Sequence, residues 1–137
     1  MDLPNPPQAV GNYITVKKAG NLVYTSGHIP ITESIKFTGK VPSEVSVEEA
    51  YKAAALCAEL TLSTLSTAYE LNSLTPLNVV GFVNSDPSFT DHAGVLNGFT
   101  DKLSEIYDEK ATRSAVGVAS LPLNVSVEVQ TIFILNG

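Results

Sequence analysis

The run "LNVVGFVNS", residues 77–85, carries β-branched and apolar side chains and no charge at all. So apolar a stretch over so short a length reads as a buried strand, closed by Pro87. A helix-like pattern lies on each side of it. A buried strand between two helices confines the chain to layered folds in which helices cover a sheet.

The first helical pattern opens at Ser46, with Glu49 three residues on as its capping-box partner. Ala50, Ala53, Ala54, Cys57, Leu60, Leu65 and Ala68 then recur near the helical period. The second pattern is capped by Thr90 or Asp91, and Val95, Phe99, Leu103, Ile106 and Tyr107 form its apolar stripe. Upstream, Tyr13–Lys18 and Leu22–Ser26 flank Ala19-Gly20-Asn21 and predict a hairpin, with Gly20 and Asn21 suited to positive φ. The polar stretch "ITESIKFTGKVPSE" predicts a loop, with a short strand near Ile35–Phe37. Ser114–Val118 and Val125–Leu135 supply two further strands. Along the last, Val125, Val127, Val129 and Thr131 share one face, and Ser126, Glu128 and Gln130 the other. The order β-β-α-β-α-β-β predicts an α+β fold, a mixed sheet with two helices on one face. No linker, repeat or low-complexity stretch divides residues 1–137, so one domain is expected.

Only 16% of the 137 residues are charged, a low share for a small domain, which hints that copies of the chain cover part of its surface. A net charge of −6 argues against a broad nucleic-acid footprint. No apolar run approaches the roughly twenty residues that span a bilayer, so no membrane partner is expected. The start, "MDLPNPPQAVGNY", has neither a basic nor an apolar leader region, and Cys57 is the only cysteine. Both features make the reducing cytoplasm the expected compartment.

Several candidate chemistries fall away on spacing. His28, His92 and Cys57 lie far apart without paired metal-ligand spacing, so no metal is expected. Cys57 sits mid-helix among Ala and Leu, surroundings that suit a small buried hydrophobe better than a nucleophile. Ser26 lacks a nucleophile elbow, and "GHIP" is no phosphate cradle. Arg113 and Glu128 form the more informative pair. If the last two strands pair, the two side chains come within reach. An ion pair bracing the sheet edge is one reading, and the commoner use of such residues. The other is an anchor for a carboxylate, gripped by the guanidinium fork, with Glu128 handling water. Tyr13 is a core aromatic or a pocket wall with a usable hydroxyl.

Three ordered segments carry a likeness. "ATRSAVGVASLPLNVSVEV", "NLVYTSGHIP" and "AVGNY" resemble motifs of the reactive-intermediate deaminase family (RidA/YjgF, also called endoribonuclease L-PSP), and the likeness spans nearly the whole chain. The resemblance implies a chorismate-mutase-like fold assembled as a homotrimer with clefts between subunits. It implies cofactor-independent hydrolysis of reactive 2-imino or enamine acids to 2-keto acids and ammonia. Arg113 would then anchor the substrate carboxylate and Glu128 orient the attacking water, with Tyr13, Ser26 and Gly27 lining the cleft.

Some positions depart from the family pattern. The second residue after the arginine, often Cys in the deaminases, is Ala115, whose backbone carbonyl remains available to the water. Asn97 matches a pocket Asn only after a one-residue shift in register. His28 stands where Gln is common, as a polar wall residue or a proton carrier. The 31–44 loop is longer and more polar than usual. The alternative expectations are a non-catalytic trimeric binder of a small carboxylate-bearing metabolite and, less in keeping with the charge, a ribonuclease.

Overall fold

The computed structural model describes residues 1–9 and 11–137. Its elements follow in the order β1 (Val16–Ala19), β2 (Leu22–Thr25), α1 (Val47–Ser66), β3 (Leu74–Asn84), α2 (His92–Leu103), β4 (Thr112–Val118) and β5 (Val127–Leu135). The strands form one sheet in the order β1-β2-β5-β3-β4. Only β3 and β4, joined through α2, run parallel. The remaining neighbours are antiparallel. The expected mixed sheet carrying two helices is what the chain forms.

Each element has a local cause. Gly20 takes φ +62° at the β1–β2 turn, and Asn21, expected to share the left-handed region, stays out of it. At the start of α1 the Ser46 hydroxyl accepts from the Glu49 N–H at 3.1 Å, and Glu48 and Glu49 face the positive end of the helix dipole. Asp91, one of two expected caps, accepts from the Gly94 N–H at 3.0 Å and starts α2.

β5 starts at Val127 rather than Val125, and Ser126, expected on the polar face, is buried with its hydroxyl donating to the Gly39 carbonyl at 2.9 Å. Within β5 the alternation is borne out, for Glu128 and Gln130 are not buried and Val127, Val129 and Thr131 are. With Val23, Val79 and Phe133 they floor a core roofed by Leu62 and Leu65 of α1 and Phe99 of α2. The helices approach each other at Gly98, where a Cβ would lie 2.0 Å from the Tyr51 carbonyl oxygen. The proline-rich N-terminal arm lies over the outer side of α1, where the Ser63 hydroxyl donates to the Pro4 carbonyl at 2.6 Å.

Three expectations are corrected. α2 ends at Leu103, so Ile106 leaves the apolar stripe and stands 36% exposed. Tyr107 instead turns back to donate to the Leu71 carbonyl at 2.9 Å. The short strand near Ile35–Phe37 reduces to isolated bridges, Ile31 with Lys36 and Thr38 with Val125. Finally, β4 and β5 do not pair, because β3 lies between them. Residues 31–44 are pinned further through Lys40, whose ammonium donates to Asn84 Oδ1 at the end of β3 at 2.8 Å and to the Ala119 carbonyl just past β4.

Candidate functional site

The β2–β5 ladder breaks just where Ser26 and Gly27 sit. Tyr24 pairs with Ile132, and His28 bridges to Val129. Four steps along one strand (28 − 24) therefore face three along the other (132 − 129), a one-residue bulge. The bulge is held on both sides. The Ser26 N–H donates to the Thr15 carbonyl at 2.9 Å and its hydroxyl to the Ile14 carbonyl, which ties in the segment carrying Tyr13.

Gly27 faces Glu128 so closely that a Cβ on it would lie 2.3 Å from Glu128 Oε2. The Glu128 carboxylate is half-buried, and that desolvation pushes its pKa above 4.5. Beside the bulge, Tyr13, Ser26, Gly27 and His28 border a cavity of about 260 Å³ whose remaining wall includes Ile29, Ile31 and Leu123. Of the six site residues the sequence singles out, Tyr13, Ser26, Gly27 and Glu128 thus come together.

His28 lies 3% exposed beneath this cluster. One tautomer satisfies both ring nitrogens: Nδ1–H donates to the Ser26 carbonyl at 2.8 Å, and Nε2 accepts from the Thr64 hydroxyl at 2.7 Å. The bulge is thereby bolted to α1, which suits a polar wall residue. Burial lowers the His28 pKa below 6.5. The unfolded chain takes up this proton near pH 6.5 while the folded chain resists it, so stability is full above that pH and falls as pH drops through it. Glu128 acts in the opposite sense, since its raised pKa makes protonation favour the folded chain as pH falls. The loss of melting temperature between pH 7 and pH 5.5 is therefore expected to shrink in His28→Gln and to grow in Glu128→Gln. Thermal denaturation across that range checks both, and an unaltered slope in His28→Gln would place the acid sensitivity elsewhere.

Arg113 stands apart from this cluster. It lies within β4, an edge strand, and is exposed rather than passing into the core. Its register places it in a row with Val79 and Thr131, both buried on the helix side of the sheet. There Arg113 Nη1 donates to Asn97 Oδ1 at 2.8 Å and to Thr100 Oγ1 at 3.2 Å, both on α2. A cavity of about 300 Å³ opens beside it, bordered also by Lys110 and Ala111.

Glu128 belongs to a different row, with Phe82 and Val116, which faces away from the helices. In one chain the two charges therefore stand on opposite faces of the sheet with β3 between them, and they form no ion pair. The edge-bracing reading of Arg113 and Glu128 is corrected accordingly. Ala115 shares a row with Gly81 and Val129, two residues from Arg113 on the same face, and packs its methyl against the core. Asn97, discounted on register, is the nearest partner of Arg113. Thr100 escaped notice because a threonine in an amphipathic helix carries no signal of its own, although its spacing of three from Asn97 puts both on one face.

The family model described as Endoribonuclease L-PSP matches residues 4–135. The 2-iminobutanoate/2-iminopropanoate deaminase of Escherichia coli K12 is 28% identical over 128 residues, covering 93% of this chain and 91% of its own. Among solved structures, the protein Atu1372 of unknown function from Agrobacterium tumefaciens superposes with a TM-score of 0.88 at 35% identity, over 93% of this chain and 85% of its own. The structure of E. coli TdcF with bound serine superposes with a TM-score of 0.68 at 25% identity, over 98% of each chain.

Proposed function

This chain belongs to the endoribonuclease L-PSP (RidA/YjgF) family, and on that premise we propose that it hydrolyses reactive 2-imino or enamine acids to 2-keto acids and ammonia. The reaction takes place in clefts between the subunits of a homotrimer. The observation that carries this reading is the separation of Arg113 from Glu128. A carboxylate anchor on one face of the sheet and a water-handling carboxylate on the other serve one small substrate only if different copies supply them.

The chemistry follows from the two clusters. Both hydrogen bonds of Arg113 to α2 leave from Nη1. Nε and Nη2 remain for a bidentate grip on the substrate carboxylate, and Asn97 and Thr100 stiffen the guanidinium. From the neighbouring copy Glu128 accepts a proton from water as the oxygen attacks the imine carbon. Its raised pKa brings it nearer the working pH and makes it a better base than an exposed carboxylate. The carbinolamine nitrogen is protonated, the C–N bond breaks, and ammonia leaves as the carbonyl forms. One water is consumed and one ammonia released. An imine carbon is already electrophilic, so positioning supplies much of the rate. Tyr13, Ser26 and Gly27 line the cleft, and the Ala115 carbonyl helps hold the water.

Two similarities support a small, amino-acid-like ligand: a deaminase among the relatives and serine bound in TdcF. Ala115, in place of a thiol, favours a second reading in which the trimer binds a small carboxylate-bearing metabolite without turning it over. The deciding experiment generates imines with an amino-acid oxidase in the presence of semicarbazide and follows semicarbazone formation. The wild-type protein is expected to suppress it. No suppression with any amino acid would favour the binder.

A further inference from the structure

Leu123 has no evident reason to be where it is. It is the most exposed large hydrophobic side chain among the described residues, at 70%, and it holds φ +57°. A bulky non-glycine residue in the left-handed region is an outlier, and glycine or asparagine would sit there with less strain. Its neighbour Asn124 also has positive φ, +59°, but asparagine tolerates that region. The loop is locked from that neighbour: Asn124 Oδ1 accepts from Asn84 Nδ2 at 3.2 Å, and its carbonyl accepts from the Gly39 N–H at 2.9 Å. This lock holds the strained Leu123 at the wall of the cavity beside the bulge, which Tyr13, Ile29 and Ile31 also line. An exposed leucine in a strained backbone contributes nothing to the core. It does contribute an apolar wall to a cavity lined by Gly27, the residue that the Glu128 carboxylate approaches.

We propose that this cavity receives the substrate's side chain and that Leu123 sets its specificity, so that the preferred substrates are 2-imino acids with branched-aliphatic or aromatic side chains. The inference rests on the deaminase reading of the site and adds the substrate class to it. With the carboxylate at Arg113 and the imine carbon beside Glu128, the side chain is the part left to enter the apolar cavity. About 260 Å³ is ample for a leucine or phenylalanine side chain and leaves a methyl group with little to touch. Each added methylene in such a pocket is worth about tenfold or more in discrimination.

The test compares imines derived from alanine, leucine and phenylalanine, for wild type and Leu123→Asn, a change that suits the backbone. The wild type is expected to favour the leucine-derived imine over the alanine-derived one by at least about tenfold in kcat/KM. In Leu123→Asn that ratio is expected to collapse, mainly through KM, with no loss of melting temperature. Calorimetric binding of the stable products pyruvate and 4-methyl-2-oxopentanoate provides a readout independent of turnover. Turnover without a side-chain preference, or a preference unchanged in Leu123→Asn, overturns the proposal and leaves the deaminase reading intact. No turnover, together with tighter binding of 4-methyl-2-oxopentanoate that Leu123→Asn abolishes, overturns the deaminase reading and with it the substrate assignment, and leaves Leu123 as the side-chain wall of a binding pocket. Neither turnover nor binding overturns both. A lower assembly mass for Leu123→Asn, with selectivity retained, assigns Leu123 to a subunit contact and also overturns the proposal.

Discussion

Replacing Arg113 with alanine is expected to lower kcat/KM for imine hydrolysis by roughly 30- to 5,000-fold. Removing one partner of a desolvated charged hydrogen bond costs about 2–5 kcal/mol, and each 1.36 kcal/mol is a factor of ten in rate. Because Arg113 lies on an edge strand and is exposed, the fold loses little with it, and the melting temperature should barely move. Arg113→Lys keeps the charge but not the fork, so it should recover only part of the loss. Asn97→Ala, which frees the guanidinium from α2, should fall between wild type and Arg113→Ala. The semicarbazone assay measures all three. Full activity in Arg113→Ala would remove the arginine from substrate binding altogether.

Gly27→Ala is expected to be nearly as damaging, by a different route. Its new methyl carbon would fall 2.3 Å from Glu128 Oε2 and 3.0 Å from Cδ, so the carboxylate must swing away from the bulge. The yielding atoms are the end of a side chain rather than backbone, and the sheet need not deform. The predicted signature is a fall in kcat of about 10²–10⁴-fold, the usual worth of a positioned general base, with a melting temperature close to wild type. Glu128→Gln should show a similar fall. Wild-type kcat in Gly27→Ala would mean that the Glu128 position seen here does not matter for the chemistry.

Much of the fold could be read from local pattern because its causes are local. The Ser46 cap, the turn at Gly20 and the alternation of Val127, Val129 and Thr131 each depend on residues a few positions apart, and each forms as expected. Strand order is different in kind. Nothing in residues 112–135 says that β3, some thirty residues earlier in the chain, will insert between β4 and β5. That pairing is decided by how α2 packs the β3–β4 crossover onto the sheet. The misplaced neighbour made Arg113 and Glu128 look like an ion pair, when the register sets them on opposite faces. The end of α2 was hidden for a similar reason, since Tyr107 keeps an apolar ring near Phe133 while leaving the helix, and periodicity alone cannot tell the two apart. Asn97 gained its meaning only from the row of Arg113. The bulge at Ser26-Gly27 left a trace in sequence, a Ser-Gly pair after a strand, but its purpose appears only with Glu128 against it.

The composite cleft is tested most directly by mixing two inactive subunits. Arg113→Ala and Glu128→Gln chains, each with low activity alone, are unfolded together, refolded at equal amounts and assayed. If each cleft takes Arg113 from one copy and Glu128 from the next, random assembly leaves about a quarter of the clefts with both residues intact, because two independent half-chances must coincide. Recovery to about a quarter of wild-type activity is the predicted result. Activity no higher than the average of the two parents, in mixtures shown to contain hybrid assemblies, would contradict a site shared between subunits.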